Sequence, residues 1–527
     1  IQNMGVFPLI KIILSFVFIS SLFGCQKSAP SVKKVLRLAN GAEPQSIDPH
    51  KCTGHPGIRI IGALFEGLVS RSQNQVGVEP GLAKSWNISD DGRTYVFHLR
   101  ESRWSDGKIL TAYDFERSWK RFLDPATGAE YSSLLNIIHN GAQVINGIFP
   151  ADSLDVSAEN DSTFRVRLEN PTGYFLQLCA FEPLFPVPTH IIETYRGKWT
   201  SPQHIISNGP FLLTQWTPHK IMVLNKNPQY WDKDSINLET VAINPIDVQE
   251  TAYKMFINGE LDWIFSIPLS KITAAKKRPE YFSFTQYGVY YYSLNVTRPE
   301  LNNPFLRKAL AYAIDREKIV RLVTRGGEKP ATGFVPILAS VPYEGVKLNL
   351  HNPELARTFL KKARYGSKIP VPKLELLYNT SEGHKKIAEV VGQMWKETLG
   401  IEVELSNMEW KIFLQKTKNL QHMVARTSWI ADYPDPYSFL ELAVSTNGNN
   451  RTGYSNPVYD KCLENSQSIQ EKDPRYAQLL KCEKILLDDM PVIPIYYYAN
   501  NEMRNPGIKG AVPNPMGMYS WKKIYLE

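Results

Sequence analysis

The chain is poor in cysteine and in clustered charge. Its 527 residues include five cysteines, and none form a C-x-x-C pair, which excludes a dense disulfide scaffold and leaves no zinc-binding spacing. Lys and Arg total 60 against 52 Asp and Glu, a net charge of +8 at pH 7, and the basic residues are scattered, which disfavours nucleic-acid binding. Low-complexity tracts are also absent and 43% of the residues are hydrophobic, so two or three globular lobes are expected.

Motifs that would mark an enzyme are missing as well. The sequence contains no G-x-S-x-G elbow, no H-E-x-x-H helix, no G-x-x-x-x-G-K-[ST] loop and no dinucleotide glycine fingerprint. No short motif places a nucleophile next to a base. An active site formed by residues that are distant in sequence and close in the fold stays open as an alternative. The ten histidines are scattered without metal-ligand spacing. The sequence therefore favours a binding protein without metal or cofactor over an enzyme.

Long hydrophobic runs are absent except near the amino terminus. Residues 4–25 read MGVFPLIKIILSFVFISSLFGC, and residues 12–23 are apolar apart from serines. That run spans about 18 Å as a helix, less than the roughly 30 Å of bilayer hydrocarbon, so residues 1–24 are predicted to be an export signal. The ending LFGC resembles the processing box of bacterial lipoproteins, which predicts a lipid on Cys25. Ordinary signal cleavage that leaves Cys25 as a chance thiol is the alternative.

The other four cysteines are predicted to lie in an oxidising compartment outside the cytoplasm. They are Cys52, Cys179, Cys462 and Cys482. One or two disulfides are expected among them, and the spacing does not decide the pairing.

Strand and helix patterns alternate along the chain, which predicts an α/β architecture. The clearest unit begins with residues 374–378, which alternate as a strand. Ser381 is placed to cap the following helix and Gly400 to end it, before residues 401–405 alternate as a second strand. This pattern is typical of a β-α-β unit.

A further strand is predicted at residues 423–429, directly before the sequence ADYPDP. Proline does not continue a strand ladder, so the strand ends there. Asp432 is thus expected just beyond the carboxyl end of a strand, where open α/β sheets bind their ligands.

Nine segments in fixed order carry a family resemblance that covers nearly the whole mature chain. They are SIDPH (46–50), LFEGLV (64–69), PGLAKSW (80–86), FHLRESRWSDG (97–107), NGPF (208–211), YYYSLN (290–295), RKALAYAIDREKIV (307–320), EWKIFL (409–414) and VARTSWIADYPDP (424–436). The chain resembles the oligopeptide-binding lipoproteins that feed ATP-driven importers, within the family 5 extracellular solute-binding proteins. The resemblance implies a monomeric, lipid-anchored protein of the bacterial periplasm that captures short peptides and delivers them to the transmembrane permease subunits of an ABC transporter.

The resemblance also implies a type II periplasmic-binding-protein-like fold, in which two lobes close on a ligand and a third domain is inserted. The expected boundaries are lobe I at 32–65, 186–287 and 500–527, the inserted domain II at 66–185, and lobe III at 288–499. Hinges are then expected near Gly288 and Ala499. Some relatives carry a cysteine pair near the cleft. The matching positions here are Gly288 and Ile430, so no cysteine pair is expected at this place.

Three residues resemble family contacts to the two ends of a peptide. Asp432 matches the carboxylate that pairs with the ligand's α-amino group; capping of a local turn is the alternative. Arg426 matches a position that reaches the carboxylate of short ligands, with a surface ion pair as the alternative. His384 matches a carboxylate contact of longer peptides, for which an imidazolium at a helix start is suited, although an exposed histidine is often inert.

Three aromatic residues complete the expected site. Trp410 and Trp429 resemble walls of side-chain pockets, and Tyr291 falls on a strand expected to line the cleft, with ordinary core packing as the alternative for each. Thr324 stands where relatives carry a lysine, which leaves the preferred peptide length open. The expected mechanism is strand addition inside a closing cleft, with bridging waters that tolerate varied side chains.

Other receptors and other classes of protein remain as alternatives. Related receptors take dipeptides, cell-wall peptides, glutathione, or nickel or haem complexes. A surface hydrolase or an adhesin that kept the fold is the alternative from a different class.

Overall fold

The computed structural model describes residues 35–72, 77–348, 351–365 and 369–527. The predicted export signal and Cys25 lie outside these residues. Within them, no helix is both long and apolar enough to cross a bilayer.

Helices and strands alternate along the chain, as predicted. The elements up to residue 185 are β1 (Val35–Ala39), α1 (His55–Leu64), β2 (Val69–Arg71), β3 (Val78–Pro80), β4 (Ala83–Ile88), β5 (Thr94–Leu99), α2 (Ala112–Leu123), α3 (Gly141–Ile145), β6 (Val156–Asn160), β7 (Thr163–Arg167) and α4 (Phe175–Cys179). Those that follow, up to the first long strand, are α5 (Thr189–Tyr195), β8 (Phe211–Thr217), β9 (Ile221–Lys226), β10 (Thr240–Asn244), α6 (Gln249–Ile257), β11 (Trp263–Ile264), α7 (Ile272–Ala275) and β12 (Tyr281–Leu294).

The carboxyl-terminal part contains the predicted β-α-β unit. Its elements are α8 (Pro304–Tyr312), α9 (Arg316–Lys318), β13 (Lys329–Pro330), α10 (Pro353–Lys362), β14 (Leu374–Asn379), α11 (Glu382–Leu399), β15 (Val403–Met408), α12 (Trp410–Lys418), β16 (Val424–Ile430), α13 (Tyr437–Leu440), α14 (Pro457–Gln467), α15 (Lys472–Asp489), β17 (Val492–Arg504), β18 (Ile508–Lys509) and β19 (Tyr525–Leu526). The Ser381 hydroxyl accepts from the His384 N–H at the start of α11, and Gly400 ends that helix at φ 70°, a left-handed conformation that glycine adopts without strain. The unit β14-α11-β15 is therefore confirmed, with its two strands parallel.

One sheet connects the two halves of the protein. Its strand order is β15-β14-β16-β12-β17-β11-β1-β10-β9-β8, with β13 paired to β17, while β4, β5, β7 and β6 form a separate sheet. The largest buried hydrophobic cluster draws on residues 36–265 and 508–524 together with Tyr433, and the second on residues 287–497 together with Met516. The long antiparallel strands β12 and β17 thus join two separate cores.

The pairing of β12 with β17 is irregular where hinges are expected. Thr285 pairs with Ala499 and Val289 with Tyr497, so three residues of β12 stand opposite one residue of β17. Gly288 lies in that gap and pairs with Ile430 of β16. A break in the ladder removes backbone hydrogen bonds that would resist bending. This supports the prediction of a hinge near Gly288 and Ala499, although the lobe boundaries themselves stay predictions.

Helices α14 and α15 are joined by a disulfide between Cys462 and Cys482, while Cys52 and Cys179 are buried free thiols. This resolves the pairing that the sequence left open. The bridge spans a sequence separation of 20 residues. Closing a loop of this length restricts the unfolded chain and typically contributes about 3 kcal/mol.

We expect the double substitution of Cys462 and Cys482 by alanine to lower the free energy of unfolding by about 2–4 kcal/mol. Urea denaturation followed by circular dichroism measures the loss. Reduced wild-type protein serves as the control and should show a similar loss. An unchanged midpoint in the double variant would contradict the stabilising role of the bridge.

Candidate functional site

A cavity of about 340 Å³ lies beside β16 and the loop that follows it. One wall consists of β16 residues and the start of α12, a second comes from the start of α1 and the segment near residue 517, and a third comes from residues 71, 131 and 181. The cavity is thus bounded by all three predicted parts of the chain. Its size falls in the range of small-molecule binding sites.

Asp432 lines this cavity, two residues beyond β16, as predicted. The residue is 8% exposed, and its Oδ2 atom has no hydrogen-bond partner among the described residues. The backbone N–H of Asp432 donates to the Ser438 hydroxyl at 3.1 Å, which fixes the loop. A buried carboxyl oxygen without a donor is costly, so Oδ2 is suited to accept a hydrogen bond from a ligand or to pair with a cationic group.

The charges around Asp432 explain how strongly its carboxyl group resists ionisation. Burial raises the pKa of Asp432 well above its usual range, and the nearby Glu441 and Glu182 carboxylates raise it further, while Arg71 and Tyr131 act in the opposite direction. A ligand ammonium group would supply the missing positive charge and favour the ionised form. The surroundings of Asp432 are therefore suited to a cation.

Arg426 lines the same cavity six residues earlier on β16. Its side chain is 7% exposed. One Nη donates to the Tyr498 hydroxyl at 3.0 Å and the other to the Asn379 side-chain oxygen at 3.4 Å, and the guanidinium lies 4.8 Å from the centre of the Tyr290 ring. Its Nε has no partner, and no carboxylate of the described residues forms an ion pair with it. A buried cation without an anion is suited to bind one.

Trp410 and Trp429 both line the cavity, where the sequence placed them. Trp410 is the first residue of α12 and stacks on Phe413 at 5.9 Å. Trp429 packs against both large cores and lies 6.4 Å from the Tyr131 ring. The two indoles thus contribute apolar surfaces to the cavity that Asp432 and Arg426 also line.

Tyr291 does not line the cavity, which corrects the prediction. In the antiparallel pair of β12 and β16, Tyr292 stands opposite Arg426 and Tyr291 opposite Thr427. Directly opposed residues share one face of a sheet and successive residues alternate, so Tyr291 faces away from the Arg426 side. Its ring packs on Phe334 at 5.0 Å in the second core.

His384 is not the cation that the sequence predicted. It is absent from the cavity lining and lies against Tyr290, with ring centroids 5.6 Å apart. Burial and the charge of Arg426 hold the pKa of His384 well below its ordinary value, so the imidazole is neutral near pH 7. Thr324 is likewise buried elsewhere and donates to Glu328 at 2.8 Å.

The structure adds site residues that sequence reasoning missed. Arg71 lines the cavity and bonds Glu182 at 2.7 Å, Tyr131 faces Asp432, and Asn379 at the end of β14 contacts Arg426. Arg71 and Glu182 are 111 residues apart, so no local pattern connects them. Of these residues, only Asn379 could have been recognised from the sequence, because it follows a predicted strand at the edge of the sheet where ligands bind.

A sequence profile of the bacterial extracellular solute-binding proteins, family 5 (middle part), matches residues 77–451. The chain belongs to this family. The oligopeptide-binding protein OppA of Bacillus subtilis is 35% identical over 94% of this chain and 93% of its own length. The periplasmic oligopeptide-binding protein OppA of Salmonella typhimurium shows the same identity and coverage. As a family 5 protein, the chain is an extracytoplasmic solute-binding protein and not an enzyme.

Solved structures of family 5 proteins show which conformation this chain adopts. The murein tripeptide-binding protein MppA of Escherichia coli is 35% identical, covers 94% of this chain and 99% of its own, and superposes with a TM-score of 0.90. Haemophilus influenzae OppA in complex with RPPGFSPFR, 31% identical with the same coverage, gives 0.89. The unliganded open form of MppA, covering 94% of this chain and 98% of its own, gives 0.68. This family 5 protein is therefore in the conformation of the peptide complex and not of the open form.

Proposed function

We propose that this protein captures short peptides in a closing cleft and delivers them to the membrane permease of an ABC importer. The observation that carries the proposal is that one cavity is lined by two buried groups without an ion-pair partner among the described residues, the Asp432 carboxyl and the Arg426 guanidinium. A free peptide presents an ammonium group at one end and a carboxylate at the other. Anchoring these shared groups binds many sequences, and the resemblance of both positions to family contacts supports it.

The spacing of the two anchors limits the length of the ligand. Arg426 and Asp432 are six positions apart, so their Cα atoms are at most about 22 Å apart. An extended peptide covers about 3.3–3.6 Å per residue, and the two anchoring side chains take up part of the distance. The neutral His384 and the engaged Thr324 offer no further cation for longer ligands. We expect the best ligands to have about two to four residues.

Closure brings the predicted inserted domain II onto lobe III beside the cavity. Tyr174 stacks on Tyr433 with ring centroids 4.6 Å apart, and the Glu130 carboxylate bonds Lys418 at 3.0 Å and Arg451 at 3.2 Å. These contacts join residues of 66–185 to residues of 288–499 without involving the ligand. They support a closed state that the permease recognises as loaded.

Acid is expected to favour closure of the empty protein. Burial raises the pKa of Asp432, and raises that of Glu441 to about 7, whereas an open, hydrated cleft would return both towards ordinary values. The closed form therefore binds more protons, and its share rises as the pH falls from 8 to 5. Small-angle scattering of ligand-free protein measures this as a falling radius of gyration. Asp432→Asn should weaken the pH dependence to the part that Glu441 contributes. A radius that is independent of pH in the wild type contradicts the expectation.

The proposed location in the cell rests on the lipoprotein-like amino-terminal sequence. Removal of residues 1–24 and acylation of Cys25 would hold a monomer at the outer face of a bacterial membrane, within reach of the permease. Relatives named as periplasmic support the compartment. Palmitate labelling of cells, with Cys25→Ser as the unlabelled control, tests the anchor.

Mass spectrometry of small molecules released from the purified protein tests the proposed ligand class. We expect peptides of a few residues with free amino and carboxyl ends. Haem, a metal complex or a sterol recovered in stoichiometric amounts would contradict the proposal. Incubation with a defined tripeptide should return it intact, since no bond is broken.

A further inference from the structure

Apart from the two anchors, Asp432 and Arg426, the residues that line the cavity are mostly apolar. They include Ile58 and Met516 on one side, Trp429 and Ile430 on the other, and Phe181 on the third, while Met518 lies among them. A ligand held at both ends must press its side chains against these surfaces, because the closed cavity measures only about 340 Å³.

Among the residues that line the cavity, no charged group is left to pair with a charged side chain of the ligand. His55 is neutral near pH 7, because burial and neighbouring arginines lower its pKa to about 3. Arg71 is neutralised by Glu182 at 2.7 Å. Asp432 and Arg426 are then the remaining charges among the lining residues, and the two ends of a peptide use both.

The two methionines sit on a segment built to present them. The side-chain oxygen of Asn514 accepts from the backbone N–H of Met516 at 3.0 Å and of Met518 at 2.9 Å, and Gly517 between them adopts φ 79°, which glycine does without strain. This fixes the backbone while the unbranched side chains stay adaptable. The sequence NPMGM thus supplies an apolar surface whose flexible methionine side chains adapt to ligands of different shape.

We infer that the protein selects peptides whose side chains are uncharged and apolar. The inference rests on the proposed function and narrows its ligand class. Transfer of an apolar side chain from water to these walls is favourable, whereas a charged side chain would be enclosed without a partner. The protein then binds peptides with apolar side chains of different shapes, and it does not bind peptides with every kind of side chain.

Calorimetry with tri-alanine derivatives tests the inference. Each position in turn is replaced by Leu, Asn, Asp or Lys, and ligand-free protein is titrated with each peptide. At one position or more, the Leu peptide should bind at least tenfold tighter than the Asn peptide and at least 100-fold tighter than the Asp and Lys peptides. Leu and Asn are similar in size, so this comparison isolates polarity.

A pair of methionine variants locates the effect. Met518→Gln should narrow the ratio between Leu and Asn peptides at least threefold, while Met255→Gln, a partly buried methionine outside the cavity, should leave it unchanged. If all substituted peptides bind within threefold of each other at every position, the inference is wrong and peptide capture stands. If neither tri-alanine nor any derivative binds, the proposed function itself is wrong. An unchanged ratio in Met518→Gln would overturn the role of the methionine surface.

Discussion

Replacing Asp432 with asparagine is expected to weaken the binding of tri-alanine by about 10²- to 10³-fold. Asp432 is 8% exposed as a residue, and its buried Oδ2 lacks a partner among the described residues, so a ligand ammonium bound there is largely desolvated. Removal of one member of a buried ion pair typically costs about 3–5 kcal/mol, and each 1.4 kcal/mol is about tenfold in affinity. Isothermal titration of ligand-free protein measures the change.

The matched control for this variant is Asp262→Asn. Unlike Asp432, Asp262 bonds an arginine, Arg37, at 2.7 Å, and it lies outside the cavity. It should bind tri-alanine like the wild type. Asp432→Asn should in addition melt no earlier than wild type, because it removes a carboxyl group that burial disfavours. Wild-type affinity in Asp432→Asn, or an equal loss in both variants, would contradict the anchor.

Replacing Arg426 with glutamine is expected to weaken the binding of tri-alanine with a free carboxylate by about 100-fold. The guanidinium is buried, is held by Tyr498 and Asn379 and has no anionic partner among the described residues, so a ligand carboxylate would complete a desolvated charge pair. Truncating one side of such a pair costs about 2–5 kcal/mol. Titration with tri-alanine and with its carboxyl amide separates this effect from loss of the fold.

The amide is the informative ligand in this comparison. Wild-type protein should bind the amide weakly, and Arg426→Gln should bind amide and free acid alike. Arg37→Gln, which loses an arginine outside the cavity, serves as the matched control and should keep the wild-type preference. If Arg426→Gln keeps that preference, the carboxylate is bound elsewhere, and the proposed limit on ligand length fails with it.

Local sequence patterns predicted the elements of this site better than its side chains. The β-α-β unit followed from alternation, from the cap at Ser381 and from the stop at Gly400. The place of Asp432 followed from the prolines behind it, because two prolines so close together disfavour continuation of a strand. Such signals are local, so one sequence is sufficient to recognise them.

The errors came from features that no local pattern encodes. Residues 287–294 are buried on both faces of β12, so hydrophobic alternation could not show that Tyr291 faces the core. The charge of His384 depends on Arg426, which lies 42 positions away in the printed sequence, and on burial that only the folded chain supplies. The pair of Arg71 and Glu182 likewise joins distant segments.

The most direct test of the central claim compares tri-alanine with N-acetyl tri-alanine on wild-type, ligand-free protein. Acetylation removes the positive charge that Asp432 is proposed to hold and adds one acetyl group at the amino end. Calorimetry should show binding of the free tripeptide and at least about 100-fold weaker binding of the acetylated one. Equal affinity for both within threefold would show that Asp432 does not hold the amino end of the ligand.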